Sequence, residues 1–344
     1  MKKLLKELCE SHGIPGREQA IIDIMSRELK KTADDVHVDE MGNVIGFKKG
    51  TSKGKLKVML AGHMDEIGFV VSHIDSNGFI RFAPRGGHIP RVLISQRVRI
   101  HGKEVVRGVV ETNPIFLAPP EARKKMPELK DMYIDTGYSE KALKKIVKIG
   151  DVIVLDRDFI EQGDVYISKA FDNRIACYII LEAMKKLKSS PADIYAVGTS
   201  QEEVGIRGAF TAAKNINPDF GIAVDITGAF DTPGVAEHEQ VTKLGDGVAI
   251  KINDSYSISN HGLVQFFQNT AEKYKIKYQF EILPFGGTDA AAMQRFGKGP
   301  VCTLSVPTRY GHSPSEMVNK KDIKATIDLL VKFLEEADKC KLEF

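Results

Sequence analysis

Val58-Met59-Leu60-Ala61-Gly62-His63-Met64-Asp65-Glu66 decides the fold, because four consecutive apolar residues run straight into a histidine and two carboxylates. A run that short, apolar at every position and bounded by polar residues, reads as a strand buried on both faces. Strands of this kind belong to parallel sheets covered by helices, where ligands bind in the crevice beyond the carboxyl ends of the strands. His63, Asp65 and Glu66 lie at such an end.

On the N-terminal side, helical patterns over residues 2–11 and 18–31 flank a Gly13-Ile14-Pro15-Gly16 break, and two strands meet at the turn Gly42-Asn43. On the C-terminal side, from about residue 67 to 164, short strands alternate with tight turns such as Asp75-Ser76-Asn77-Gly78 and Gly102-Lys103. That stretch predicts a small barrel or sandwich, interrupted only by short helical patterns over 121–130 and after a Ser139 cap. Beyond Asp172, helix and strand alternate again: helices to 187 and over 206–214, 261–274, 289–296 and 321–339, and strands over 194–199, 221–225, 248–252, 278–283 and 301–306. The expected architecture is α/β, a mostly parallel sheet sandwiched by helices over 1–66 and 165–344, with an all-β domain inserted over 67–164.

Composition narrows the function. The chain has 344 residues, of which 42% are hydrophobic and 28% charged, which excludes a disordered or fibrous protein. The 49 Lys and Arg nearly balance the 46 Asp and Glu, and they form no basic stripe, so no nucleic-acid partner is expected. No apolar run approaches the roughly 18 residues that span a bilayer, and Lys6, Glu7 and Glu10 interrupt the N-terminal apolar residues. No membrane partner is expected, and the expected location is cytoplasmic. Cys9, Cys177, Cys302 and Cys340 form no C-x-x-C pair, which leaves His, Asp and Glu to hold any metal.

The other strand ends repeat the pattern. Ser200-Gln201-Glu202-Glu203 follows one, Asp225 closes another, and Arg309-Tyr310-Gly311-His312 follows a third. Each residue has an ordinary explanation by itself: His63 and His312 as structural histidines, Asp172 as a helix N-cap, Glu202 and Glu203 as solvated charges, Asp225 as a strand terminator. Together at one sheet edge, two imidazoles and several carboxylates without a thiolate suit a hydrolytic zinc, cobalt or manganese centre. In extended chain Asp65 shares a face with His63 and can accept a hydrogen bond from its second ring nitrogen. Adjacent Glu202 and Glu203 point apart, so one can ligate while the other handles protons. Gly286-Gly287-Thr288-Asp289 sits between a strand and a helix, either as a tight connection with Asp289 capping the helix or as part of a substrate pocket. Arg309 and Tyr310 line that pocket, or form a surface ion pair and a packed ring.

The set Gly62-His63-Met64-Asp65-Glu66, Ala170-Phe171-Asp172-Asn173-Arg174, Glu202-Glu203-Val204-Gly205, Ala223-Val224-Asp225, Gly286-Gly287-Thr288-Asp289-Ala290 and Arg309-Tyr310-Gly311-His312-Ser313-Pro314 resembles the M42 family of metalloaminopeptidases. The resemblance spans nearly the whole chain. It implies a zinc-exopeptidase-like catalytic domain with an inserted PDZ-like barrel used for dimerisation, and homo-oligomers in which dimers build a dodecamer. It implies two divalent ions per subunit, with Asp172 bridging, His63 and Asp225 completing one site, and Glu203 and His312 the other. Glu202 matches the catalytic base, Asp65 the carboxylate behind His63, and the substrates would be peptides with a free N-terminus. Where many relatives show a His after a Pro-rich turn, this chain reads Thr112-Asn113-Pro114-Ile115-Phe116.

Two other functions compete. Glycoside hydrolysis, as in relatives labelled endoglucanase, needs paired carboxylates but gives the histidines no purpose, and a chain without Trp lacks the commonest sugar-stacking platform. The third reading is an inactive metal-binding assembly subunit.

Overall fold

The computed structural model describes residues 2–52, 56–114, 121 and 125–342. Ile115 and Phe116, and part of the 121–130 helical pattern, lie outside the described residues. Strands β1 (Asp35–Val38), β2 (Val44–Lys48) and β3 (Lys57–His63) lead into the barrel strands β4 (Gly68–Ile74), β5 (Ile80–Arg85), β6 (Arg97–His101), β7 (Val105–Glu111), β8 (Tyr133–Asp135) and β9 (Val152–Leu155). The remainder are β10 (Ile160–Gln162), β11 (Val165–Ser168), β12 (Asp193–Thr199), β13 (Phe220–Gly228), β14 (Val248–Asn253), β15 (Tyr278–Ile282), β16 (Val301–Arg309) and β17 (Glu316–Asn319). Helices are α1 (Lys2–Glu10), α2 (Gln19–Leu29), α3 (Glu140–Leu143), α4 (Phe171–Lys186), α5 (Arg207–Ile216), α6 (His261–Tyr274), α7 (Ala290–Phe296) and α8 (Lys320–Glu335).

Eleven strands form one sheet in the order β1-β2-β12-β3-β13-β16-β17-β11-β10, with β14 and β15 branching from β16. The parallel character is confined to β12-β3-β13-β16 and the β14-β15 pair, and the flanks are antiparallel. The expected parallel sheet is thus the centre of a mixed one. Its antiparallel margin at β10, β11 and β17 escaped the sequence because three- and four-residue strands carry too little periodicity to read. β10 falls within the expected insertion 67–164, yet it pairs with β11 in the large sheet, so the barrel strands end at Leu155.

The run Val58 to Ala61 is buried on both faces, as its composition requires. Val58 and Leu60 enter a core built with α4, α6 and α8, and Met59 and Ala61 enter another built with α5 and α7. His63 continues the Met59–Ala61 phase and so faces the α5/α7 side. The second domain is a closed antiparallel barrel, β4-β5-β8-β7-β6-β9, with its own core of residues such as Phe69, Val98, Ile100 and Ile134. Ser139 stands at the N-cap of α3 but makes no side-chain cap bond. All four cysteines are free, and among the described residues no helix is long and apolar enough to cross a membrane.

Candidate metal centre

The site opens where two central strands part. β3 pairs with β13 up to Ala61–Ala223, and beyond that pair His63 and Asp225 stand on either side of the gap. Glu202 and Glu203 arrive on the loop after β12, which stays paired with β3 as far as Thr199–His63. Asp225 lies within β13, three residues short of its end, and is not a strand terminator. Asp172 departs from helical geometry at φ −74° and ψ 105° within the first turn of α4, and its carboxylate turns to the histidines instead of capping the helix.

Asp172 is the hub. Its Oδ1 is 3.1 Å from His63 Nε2, and its Oδ2 is 3.1 Å from His312 Nε2. The two imidazoles are fixed from behind: His63 Nδ1 donates to the Asp65 carbonyl at 3.1 Å, and His312 Nδ1 donates to the Gly87 carbonyl at 2.8 Å. With each Nδ1–H committed to a carbonyl, each Nε2 is the ring atom turned to Asp172, and it can ligate a cation that displaces its proton. Ligand atoms of His63, Asp172 and Asp225 lie within 4.8 Å of one another, and so do those of Asp172, Glu203 and His312.

Asp65 differs from expectation. Its carboxylate is 3.6 Å from His63 Nδ1, too far for a hydrogen bond, and the ring is held by its backbone carbonyl instead. The reason is that both carboxylate oxygens are engaged elsewhere, accepting the backbone N–H of Glu202 at 3.0 Å and of Glu203 at 3.1 Å. Asp65 therefore positions the Glu202–Glu203 dipeptide as well as the imidazole.

Charge is crowded here. Burial lifts the carboxyl groups of Glu202, Glu203 and Asp225 above the ordinary carboxylate range, Glu203 to about 8, and neighbouring carboxylates add to the effect. Burial acts the same way on Asp172, but hydrogen bonds from His312 and His63 outweigh it and hold that carboxyl below its usual range. Burial pulls His312 down and loses to the Asp172 carboxylate, which pushes it up to about 11. Glu203 Oε1 is buried without a hydrogen-bond partner. An orphaned carboxylate oxygen among four acidic side chains and two outward-facing imidazole nitrogens fits divalent cations, which supply the missing positive charge.

Two contributors carry no sequence signal. Glu316 on β17, 2% exposed, accepts the backbone N–H of Asp172 with Oε2 and that of His312 with Oε1, both at 3.0 Å. Gly87 belongs to the strap after β5, and a Cβ at the neighbouring Gly86 would meet Glu203 at 3.2 Å. The expected substrate residues divide. Thr288 bonds Thr303 and the N–H of Ala290, and Arg309 forks onto Asp231 at 2.9 and 2.7 Å. Asp289 accepts from Thr199 at 2.6 Å, makes no cap bond to α7 and keeps Oδ1 buried without a partner, while Tyr310 is 54% exposed.

The M42 glutamyl aminopeptidase family model matches residues 42–329. A lysyl aminopeptidase from Pyrococcus furiosus is 36% identical, covering 97% of this chain and 96% of that protein. Among solved structures, an aminopeptidase from the archaeon Desulfurococcus kamchatkensis superposes with a TM-score of 0.93 at 40% identity, covering 97% of this chain and 94% of that one. The TET1 peptidase of Pyrococcus horikoshii, described as assembling into a tetrahedron or a large octahedral shell, gives 0.87 at 30% identity, with 97% and 99% covered. A Thermotoga maritima structure named endoglucanase gives 0.81 at 30% identity, with 97% of each chain covered.

Proposed function

The chain belongs to the M42 glutamyl aminopeptidase family, and from that membership we propose that it removes N-terminal residues from peptides at a two-cation centre with Glu202 as general base. The observation that carries the proposal is Asp172 dividing its two oxygens between His63 Nε2 and His312 Nε2. His63, Asp172 and Asp225 would hold one cation, and Asp172, Glu203 and His312 the other, with zinc or cobalt first and manganese next by donor type. When bound, such ions act as Lewis acids that make water nucleophilic near neutral pH and polarise a carbonyl.

The chain's own residues do the rest. Glu202 Oε2 is 3.8 Å from His63 Nε2, and burial raises its proton affinity, so it can take a proton from the attacking water and return it to the leaving amine. Asp65, holding the Glu202 N–H, fixes where that carboxylate can reach. The buried free oxygen of Asp289 and the exposed ring of Tyr310 leave these two as the candidates to face the peptide. We also propose that the subunits assemble through the barrel, whose β7 presents Val105 and Val109 on its outer face, 54% and 37% exposed.

The test is hydrolysis of aminoacyl p-nitroanilides before and after chelation and readdition of zinc, cobalt or manganese. Glu202→Gln should retain its metal and lose about 10²- to 10⁴-fold in rate. Unchanged turnover refutes the base, and equal metal content in His63→Ala refutes the ligand set. The endoglucanase name on one structural relative makes glycoside hydrolysis the rival. A two-carboxylate glycosidase would leave His63, Asp172 and His312 idle, so cellulose hydrolysis that survives chelation would reverse the ranking.

A further inference from the structure

Behind the loop that carries Glu202 and Glu203 lies a cleft of about 390 Å³ that the proposed reaction does not use. Three separate parts of the chain wall it. Arg17 comes from the turn before α2, Arg85 from the end of barrel strand β5, and Arg207 from the start of α5. The lining contains no carboxylate. Among the described residues none of the three guanidinium groups has a carboxylate within ion-pair distance, and the only side-chain bond of Arg207 is a long one, 3.4 Å, to the Gln201 amide oxygen. Arg27, Arg99 and Arg309, by contrast, each pair with an acidic side chain.

The cleft is open and its floor is fixed. Gly16 and Gly150, which also line it, have φ of +78° and +88°, and a Cβ on either would meet no atom within 4 Å. Left-handed backbone favours glycine there, and the missing side chains leave the space clear. Beneath them Glu18, 5% exposed, accepts the N–H of Gly16 at 2.9 Å and of Gln201 at 3.1 Å, which ties the turn before α2 to the loop bearing Glu202. Three exposed guanidinium groups line a pre-formed cleft without a carboxylate among its walls, and an oxyanion would supply the missing counter-charge. Planar guanidinium forks match the paired oxygens of carboxylates and phosphates.

We propose that Arg17, Arg85 and Arg207 form a binding site for an oxyanion, a carboxylate or phosphate group, at the seam between the barrel and the loop that carries Glu202 and Glu203. This inference does not depend on the metal assignment. Gln201 and Val204 bracket Glu202–Glu203 and also line the cleft, so an anion bound there would rest against the loop that carries the proposed base.

The test is calorimetric titration of the intact, metal-loaded protein with sulfate, a poor metal ligand. A second arm uses N-acetylated tri-aspartate, whose blocked amine keeps it from being a substrate. Wild type should bind at least one probe saturably, and Arg17→Ala, Arg85→Ala and Arg207→Ala should each weaken binding by about tenfold. Arg85→Lys should recover part of the loss, because it restores charge without the fork. Sulfate alone binding assigns the site to small oxyanions, and displacement of sulfate by the peptide assigns it to peptide carboxylates. No saturable uptake of either probe, or uptake that survives all three alanine variants together, overturns the proposal. So does an unchanged titration accompanied by a changed assembly mass in size-exclusion chromatography, which would make the arginines contacts between subunits.

Discussion

One carboxylate, Glu316, fixes Asp172 against His312 at the residue scale, because it holds the backbone of both. Burial, with Asp172 nearby, raises its carboxyl to about 8, so its two accepted N–H bonds are its main compensation for leaving water. Glu316→Gln keeps the size but presents an NH₂ to one of the two N–H groups. Metal affinity should fall by about 10- to 100-fold, as for other groups that orient metal ligands, while far-UV circular dichroism stays unchanged; wild-type affinity would remove Glu316 from the site. His63, Glu202, Glu203, Asp225 and His312 stood out in the sequence because each lies in or just after an apolar run that reads as a strand. Glu316 was not, because it stands in Ser313-Pro314-Ser315-Glu316, where an ordinary loop carboxylate looks the same and its partner Asp172 is 144 residues away.

Among elements, the β1–β2 hairpin is joined to the loop after β12 by one buried side chain. Asn43 Nδ2 donates to Asp39 at 2.7 Å and to the Gly208 carbonyl at 3.0 Å, while its Oδ1 accepts the Ser200 N–H at 3.0 Å. Asn43→Ala would leave the Ser200 N–H unpaired, while the Gly208 carbonyl keeps its bond from the Thr211 hydroxyl, and should cost about 1 to 3 kcal/mol in urea denaturation. It should also raise KM or lower kcat, since Ser200 begins the segment that carries Glu202; a loss under 0.5 kcal/mol would show that water replaces the amide. The sequence placed a turn at Gly42-Asn43 but gave no sign of this link. Local spacing reports which residues are neighbours along the chain, and this contact spans 157 residues.

At the scale of the whole molecule, half-buried histidines in and beside the barrel set a response to acid. His88 stacks on Phe69 with centroids 4.0 Å apart and donates from Nε2 to the Gly68 carbonyl, and His101 stacks on His12. Burial pulls both His88 and His101 down to about 4. An unfolded chain takes up these protons near pH 6.5 and the folded chain only near 4, so their contribution is complete above 6.5 and is lost as pH falls toward 4. Both rings are partly solvated, which brings the effect down to the order of 1 kcal/mol each. The Tm gap between wild type and His88→Asn should therefore narrow from pH 7 to pH 4, and a constant gap would contradict the assignment.

The Gly87 carbonyl that orients His312 comes from the inserted domain, while the imidazole comes from the sheet. Excising residues 68–155 to obtain a minimal enzyme would remove that acceptor and free the ring to turn. Exchanging the barrel for one from another protein must reproduce a single backbone oxygen in register.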